Sequence, residues 1–178
     1  RYWAGTTTGI SCLAENSWER YREGHGLPSE NVWTCAIDSS GVVWFGTSRG
    51  IVSFSKNQMS NWSKQINAGS DTLDVRSSLV SGGKTYFGTA SGKLIAYDGS
   101  KWTVSSKTKY CISSIIADQS GAIWLGTDGG GIVKAEGGTA YTILDGLPSN
   151  KVRALAMKNG KMVAACYGGI AEISMGAK

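Results

Sequence analysis

A five-residue stretch, GTSRG at residues 46–50, matches the GxSxG pattern in which some hydrolases present a nucleophilic serine. That chemistry needs a sharp turn between a strand and a helix, so that the serine hydroxyl is exposed to substrate. The residues around Ser48 indicate a strand, a turn and a second strand instead. The corresponding turns read GTTTG at 5–9 and GTASG at 88–92, so Ser48 occupies a variable turn position. We therefore predict no nucleophile there.

His25 is the only histidine of the chain. It lies in the connection EGHG at residues 23–26, and a lone histidine in a loop is more often solvated than catalytic. A general base needs a partner and a substrate within hydrogen-bond reach. We expect a protein that is not an enzyme, with His25 kept only as a candidate ligand contact.

The sequence offers no recognisable metal or phosphate site. Four cysteines stand far apart, without the close pairs of zinc or redox motifs: Cys12, Cys35, Cys111 and Cys166. Each lies among apolar residues, which favours buried free thiols, although disulfides stay open. The glycine-rich residues 126–131 precede a strand rather than a helix, and the short turns at Asp38 and Asp118 offer too few oxygens for calcium. We expect no metal and no cofactor.

Composition places the chain among folded all-β proteins. Of 178 residues, 41% are hydrophobic and 17% are charged, which argues against disorder, and 25 glycines suit many tight turns. The net charge is +5, but the lysines are scattered, so we predict no nucleic-acid partner. No apolar run of membrane-spanning length occurs, so we predict no direct membrane insertion of this segment.

Internal repetition decides the fold. Five segments align at a period of about 40 residues, which is typical of repeat architectures. They are YWAGT (2–6), VWFGT (43–47), TYFGT (85–89), IWLGT (123–127) and the degenerate VAACY (163–167), in which Ala164 replaces the tryptophan and Cys166-Tyr167 replace Gly-Thr.

One unit reads as an antiparallel meander of four strands. It has an apolar strand at 32–37, a DSSG turn, strands at 42–47 and 51–54, and a fourth strand around Trp62. Such a unit cannot bury its apolar faces alone and must pack against sister units. We predict an all-β fold of β-propeller blades, about four blade-equivalents in this chain. The chain is then one propeller or propeller segment over 1–178, with blade boundaries near 1–31 (incomplete), 32–73, 74–110, 111–150 and 151–178 (incomplete).

The tryptophans fit these blades as structural residues. Trp3, Trp44 and Trp124 are predicted in the second strand, and Trp18, Trp62 and Trp102 in the fourth, between adjacent blades. Trp33 is the exception, because it falls in the innermost strand at the position of Arg76, Ser113 and Arg153 in other units.

The order of motifs resembles the two-component regulator propeller repeat over nearly the whole chain. The pattern GLPSxxV stands at 26–32 and 146–152, and DxxGxxWxGT stands at 38–47 and 118–127. The third unit departs from the pattern, since GLPS is missing before Asp74, and so does the last unit.

The resemblance implies a sensor, similar to the extracytoplasmic part of bacterial hybrid sensor kinases. Such propellers often have seven blades and often sense polysaccharide fragments. It implies a location on the periplasmic or extracellular side of a bacterial membrane. We expect the partners to be the remainder of a larger propeller, or further copies of this chain, which would leave no exposed strand edges.

A ligand is expected on the face where the turns between second and third strands meet the connections between blades. Loop residues gathered there are His25, Arg49, Tyr110, Asp128, Asn150 and Tyr167, and candidates at the channel mouth are Trp33, Arg76 and Arg153. An aromatic ring beside arginines suits a carbohydrate or an anionic small ligand.

Three functions of different class follow. The first is a ligand-sensing module acting on a downstream domain. The second is a platform for protein interaction or assembly, which predicts a stable oligomer without a small ligand. The third is a lyase or hydrolase similar in repeat style to the streptogramin lyases, which His25 as the single histidine makes the weakest of the three.

Overall fold

The computed structural model describes residues 1–66, 69 and 73–174. Within them the chain forms two short 3-10 helices (Glu23–His25 and Ile143–Asp145) and β-strands that are arranged in five antiparallel sheets.

Sheet 1 consists of β1 (Tyr2–Thr6), β2 (Gly9–Ala14) and β3 (Ser17–Tyr21). Sheet 2 consists of β4 (Val32–Ile37), β5 (Val43–Thr47), β6 (Gly50–Ser55) and β7 (Gln58–Asn61). Sheet 3 consists of β8 (Val75–Ser81), β9 (Lys84–Thr89), β10 (Lys93–Tyr97) and β11 (Trp102–Ser106). Sheet 4 consists of β12 (Ile112–Ala117), β13 (Ile123–Thr127), β14 (Ile132–Lys134) and β15 (Ala140–Tyr141). Sheet 5 consists of β16 (Val152–Lys158), β17 (Lys161–Cys166) and β18 (Gly169–Ser174).

Each sheet is a meander in chain order, and each packs on the next, as propeller blades do. The predicted all-β propeller fold is therefore confirmed, and among the described residues the five sheets do not close into a ring. The fourth strand of sheet 2 ends at Asn61, one residue before the predicted Trp62. The blade boundaries stay a prediction, and residues 175–178 of the last unit lie outside the described part of the chain.

Aromatic rings fill the space between sheets 2 and 3. The ring centroid of the buried Trp44 lies 5.3–6.0 Å from those of Trp62, Phe87, Tyr97 and Trp102. Trp62 and Trp102 thus lie between neighbouring sheets, as predicted. Burial of this much aromatic surface holds the two sheets together.

The prediction for Trp18 is wrong, because its side chain is 60% exposed. Tyr21 takes the position between sheets 1 and 2, with its ring centroid 6.0 Å from that of Trp3 and 5.2 Å from that of Phe54. Successive side chains of a strand point to opposite faces. Trp18, three residues before Tyr21, therefore points away from sheet 2, to a face of sheet 1 against which no other described sheet packs.

The expectation that all four cysteines are buried is also wrong. Cys12 is buried, Cys111 and Cys166 are half-buried, and Cys35 is exposed; all four are free thiols. Cys35 pairs with Phe45, whose side chain packs towards sheet 1. Because sheet 1 has no described strand inside β1, nothing in the described chain covers that face of β4.

The last repeat is shifted by one residue from the alignment predicted. Val152 pairs with Cys166, just as Val32 pairs with Thr47 and Ile112 with Thr127. Val163 therefore takes the tryptophan position, and Ala165-Cys166 take the place of Gly-Thr. Tyr167 moves into the turn that follows the strand.

The aspartate of the DxxGxxW motif organises a hairpin and holds the tryptophan. Asp118 Oδ1 accepts hydrogen bonds from the backbone N–H groups of Ser120 and Ala122, and Oδ2 accepts from Trp124 Nε1 at 2.8 Å. Asp38 makes the equivalent bond to Trp44, also at 2.8 Å. Although burial alone would raise the pKa of Asp118, the hydrogen bonds from Ser120, Trp124 and Ala122 outweigh it and hold this pKa below its ordinary value.

The substitution Asp118→Asn is expected to lower the free energy of unfolding at pH 7 by about 1–2 kcal/mol. The amide has only one oxygen, so it cannot accept both from the backbone N–H groups of the hairpin and from Trp124 Nε1. A carboxylate with a lowered pKa stabilises the fold above the pKa of the unfolded chain, about 3.9, and loses that effect as pH falls through the folded pKa. The difference in the free energy of unfolding between variant and wild type should therefore become smaller in acid. Urea unfolding across pH measures it, with exposed Glu15→Gln as control. A gap that does not change with pH would contradict the assignment.

Candidate functional site

Every innermost strand carries a β-bulge at its second residue. The register shifts between Val32 and Thr34 in β4, and equivalent shifts occur in β8, β12 and β16. The extra residues are Trp33, Arg76, Ser113 and Arg153. These residues thus share one structural position, as the sequence predicted. Bulges re-aim a side chain and end regular pairing, and they are frequent beside binding sites.

The turns between second and third strands are tied to the connections between sheets by repeated backbone hydrogen bonds. Their donors and acceptors are Ser48 N to Asn31 O (3.0 Å), Ala90 N to Asp74 O (2.8 Å), Asp128 N to Cys111 O (2.9 Å) and Tyr167 N to Lys151 O (2.8 Å). We use the term turn face for the four bulge residues together with these eight residues and the adjacent Arg49, Lys109, Tyr110, Gly129, Gly130 and Asn150. Since each bond joins two elements, the loops of this face are fixed to the sheet scaffold.

Trp33, Arg76 and Asp74 form one contiguous group on the turn face. The Arg76 guanidinium lies 4.4 Å from the Trp33 ring centroid, a cation–π contact. Arg76 Nη2 also donates to Asp74 Oδ2 at 2.7 Å, and that bond is the main reason why the pKa of Arg76 is raised. Trp33 is 41% exposed, so part of its ring stays open to solvent.

Several buried side-chain atoms of the turn face have no hydrogen-bond partner among the described residues. They are Asp74 Oδ1, Arg76 Nε and Asp128 Oδ1. Most buried polar groups in proteins are hydrogen-bonded, so such atoms are exceptions that ordered water or an ion often explains. Arg76 and Asp74 also keep 37% and 20% of their side-chain surface exposed, so the group offers one guanidinium donor and one carboxylate acceptor to solvent.

Cys111 is a half-buried thiol of the turn face. Burial raises the pKa of this thiol, the charges of Asp128 and Asp74 act in the same direction, and the charges of Arg76 and Arg153 act to lower it. The sequence predicted Arg76, Arg153 and Asp128, but missed Asp74 and Cys111. Asp74 stands two residues before Arg76, and that spacing places side chains on one side of an extended chain.

Tyr110 lies flat against the glycine turn after β13. A Cβ atom built on Gly129 would lie 2.8 Å from Tyr110 Cδ1, and one built on Gly130 would lie 2.6 Å from Cδ2. Lys109 Nζ lies 5.4 Å from the same ring. The glycines of this turn therefore leave room for the tyrosine, which packs as part of the wall of the turn face.

His25 has a local structural contact. Its Nδ1 accepts the backbone N–H of Arg22 at 3.0 Å, which caps the 3-10 helix at Glu23–His25. Asp145 does the same for Thr142 in the corresponding helix of the fourth unit. Since a carboxylate replaces the imidazole there, capping of this turn does not require histidine.

The remaining candidates lie at the rim of the turn face. Arg49 and Tyr167 are exposed, the latter at 67%. Asn150 holds local structure: its carbonyl oxygen accepts from Gly129 N and Gly131 N, and its Oδ1 accepts from Ile143 N. The contacts given above do not join Arg49, Tyr167 or Asn150 to the group of Trp33, Arg76 and Asp74.

Within the described residues, no group of three or more histidine, cysteine, aspartate or glutamate side chains is arranged to hold a metal ion. The same part of the chain contains no helix that is long and apolar enough to span a membrane.

The family model for the two component regulator propeller matches residues 26–49, from the GLPS motif through β4, the Asp38 hairpin and β5. This stretch is thus similar to a two-component regulator propeller repeat. It contains Trp33, so one of the bulge positions lies inside the matched repeat. No curated protein sequence matches the chain.

Solved structures with the same fold include sensor domains and a lyase. Extracellular domains of two hybrid two-component systems from B. thetaiotaomicron superpose with TM-scores of 0.82 and 0.81, at 17% and 24% identity. They cover 96% and 99% of this chain, which spans 25% of the length of each. Virginiamycin B lyase from Staphylococcus aureus superposes with a TM-score of 0.73 at 15% identity, over 98% of this chain and 66% of the lyase. These likenesses establish the propeller fold.

Proposed function

We propose that the chain is the ligand-binding part of an extracytoplasmic sensor propeller of a bacterial two-component regulator, and that its turn face binds a carbohydrate or anionic ligand. The observation that carries the proposal is the group of Trp33, Arg76 and Asp74 on the turn face. The repeat at residues 26–49 and the likeness to extracellular domains of hybrid two-component systems support the sensor class.

The chemistry of the group suits a polyhydroxylated molecule. The side chains of Arg76 and Asp74 keep 37% and 20% of their surface exposed, so a ligand hydroxyl can accept from the guanidinium and donate to the carboxylate. The exposed part of the Trp33 ring offers an apolar surface against which a sugar ring can stack. Arg76 and Arg153 add positive charge for a carboxylate or sulfate substituent.

Binding of an acidic disaccharide is expected to weaken at least tenfold in each of Trp33→Ala, Arg76→Ala and Arg153→Ala. Loss of a hydrogen bond to a charged group costs about 1.5–3 kcal/mol, which is roughly a factor of 10 to 100 in Kd. Calorimetric titration of a panel of acidic disaccharides, with their neutral counterparts, measures this. Tryptophan fluorescence gives a second measurement of binding for the wild type and the arginine variants, which keep Trp33.

The matched control is Arg20→Ala, because Arg20 is exposed in β3 on the outer part of sheet 1. Its affinity should equal that of the wild type. Unchanged affinity in all three turn-face variants would remove the proposed site.

Assembly is the second candidate function, and exposed apolar side chains of the terminal sheets favour it. Tyr2 in β1 is 76% exposed and Ile170 in β18 is 75% exposed. On this alternative, the open arc of sheets is completed by the remainder of a larger propeller or by further copies of the chain. A stable oligomer by sedimentation, with no disaccharide bound, would favour assembly over ligand sensing.

A further inference from the structure

A row of three paired residues crosses sheets 1 to 4 in the same way. The glycine of the repeat pairs with an apolar residue of the next strand. That apolar residue lies opposite a residue in the outermost strand of the sheet or, in sheet 2, opposite Trp62 just after that strand. The rows are Gly5–Ile10–Tyr21, Gly46–Ile51–Trp62, Gly88–Leu94–Ser105 and Gly126–Ile132–Tyr141. Sheet 3 therefore carries Ser105 where the other three sheets carry a large aromatic ring.

Two neighbouring positions on the same face also carry smaller residues than their counterparts in sheet 2. Tyr86 takes the place that Trp44 has in sheet 2, and Ala96 takes the place of Ser53. Trp102, the large ring of β11, packs on Trp44 and so faces sheet 2 rather than sheet 4. The space between sheets 3 and 4 thus lacks the ring that fills the preceding space.

The consequence is a cavity of about 530 Å³ between sheets 3 and 4. Sites of this size bind small organic molecules. Its lining runs from the hairpin residues Lys84, Gly121 and Gly137, at the edge of the sheets opposite the turn face, to Lys107, whose backbone N–H donates to Gly92 O in the turn between β9 and β10. It is separate from the group around Trp33.

The cavity combines an apolar wall with charged residues at its two ends. Leu94, Ala96 and Ile123 form apolar wall, and Tyr86 adds an aromatic ring. The charged lining residues are Lys84, Lys107, Lys134 and Glu136. Lys134 Nζ lies 5.6 Å from the Trp124 ring, which packs towards sheet 5, so the ammonium group of Lys134 is on the other face of sheet 4. The cavity side keeps the two ammonium groups of Lys84 and Lys107 against the one carboxylate of Glu136, and this balance favours an anion.

We propose that this cavity binds a small aromatic carboxylate. The aromatic ring of the ligand lies beside Ser105, where Trp62 lies between sheets 2 and 3, and the carboxylate is held by Lys84 or Lys107 at one end of the lining. The site is independent of the ligand proposed for the turn face.

The test is calorimetric titration of the folded chain with 2-naphthoate. Saturable binding of one equivalent is expected for the wild type. Ser105→Trp restores the ring found in the neighbouring sheets, so it is expected to weaken binding at least tenfold and to raise the Tm by filling the cavity. The matched control, Ser17→Trp at an exposed position of β3, should bind as the wild type does.

A second arm tests the charge. The double variant Lys84→Gln, Lys107→Gln is expected to weaken 2-naphthoate several-fold, whereas Lys158→Gln, exposed at the end of β16, should not. The neutral 2-naphthamide should bind the wild type more weakly than the acid. Arg76→Ala should leave 2-naphthoate affinity unchanged, which separates this site from the turn face.

Three results would overturn the proposal. One is the absence of saturable binding to the wild type at millimolar 2-naphthoate. Another is equal affinity in a folded Ser105→Trp variant. The third is an amide that binds as tightly as the acid.

Discussion

Replacing Trp44 with alanine is expected to lower the free energy of unfolding by about 3–5 kcal/mol, the cost of removing a large buried ring. Trp44 is 3% exposed and packs among rings of its own sheet and of sheet 3. Its Nε1 also donates to Asp38 Oδ2 at 2.8 Å, so the variant leaves a carboxylate oxygen without that donor. Both the cavity and the lost hydrogen bond weaken the contact between sheets 2 and 3.

Urea unfolding followed by far-ultraviolet circular dichroism measures the loss, with Trp18→Ala as the matched control. Trp18 is the same residue type but 60% exposed, so its replacement should cost far less. Trp44→Phe keeps a buried ring and removes the indole N–H, so it should fall between the two. Equal losses for Trp44→Ala and Trp18→Ala would show that the aromatic cluster does not hold the sheets together.

The fold could be predicted because the same sequence pattern recurs in each unit. The alternation of apolar residues, the turn glycines and the spacing of about 40 residues all favour the same four-stranded unit. Trp18 shows where this reasoning fails. An alignment by residue type matched it with Trp62, yet the register gives that position to Tyr21. A shift of an odd number of residues reverses the face of a strand, and composition alone does not reveal it.

Burial at the ends of the arc was harder to predict than burial inside it. Cys35 lies in an apolar strand, and an apolar setting predicts a buried thiol. Its exposure depends on the strand count of the neighbouring sheet, because β4 faces a sheet with only three strands. That is a property of the whole arrangement and not of the residues around the cysteine.

The candidate site was predicted in part. Counting residues from the start of each innermost strand placed Trp33, Arg76 and Arg153 at one position, and the bulge shows the physical reason. The ion pair of Arg76 with Asp74 follows from their spacing of two residues, whereas the contact of Arg76 with Trp33 depends on how sheets 2 and 3 pack. The cavity beside Ser105 depends on which face Trp102 takes, so it also required the register.

Substituting Gly46 with alanine is expected to lower the free energy of unfolding by about 2–3 kcal/mol, the upper part of the usual range for overpacking. A Cβ atom on Gly46 would lie 2.5 Å from Val75 Cγ1 and 2.7 Å from Thr34 Cγ2. Gly88 meets Ile112 Cγ2 at the same distance, 2.5 Å. The repeat glycine is therefore needed for space, since the first residue of the next innermost strand packs directly on it.

Gly24→Ala is the matched control for Gly46→Ala, because a Cβ atom there meets nothing within 4 Å and its φ is not in the left-handed region. It should leave the urea midpoint near that of the wild type. If the clash with Val75 is the cause, combining Gly46→Ala with Val75→Ala should cost less than the sum of the two single losses. Strictly additive losses would show that the clash with Val75 is not the cause of the destabilisation. A coupled pair would show that the glycine of each repeat fixes how closely one sheet approaches the next, which in turn sets the spacing of the bulge residues on the turn face.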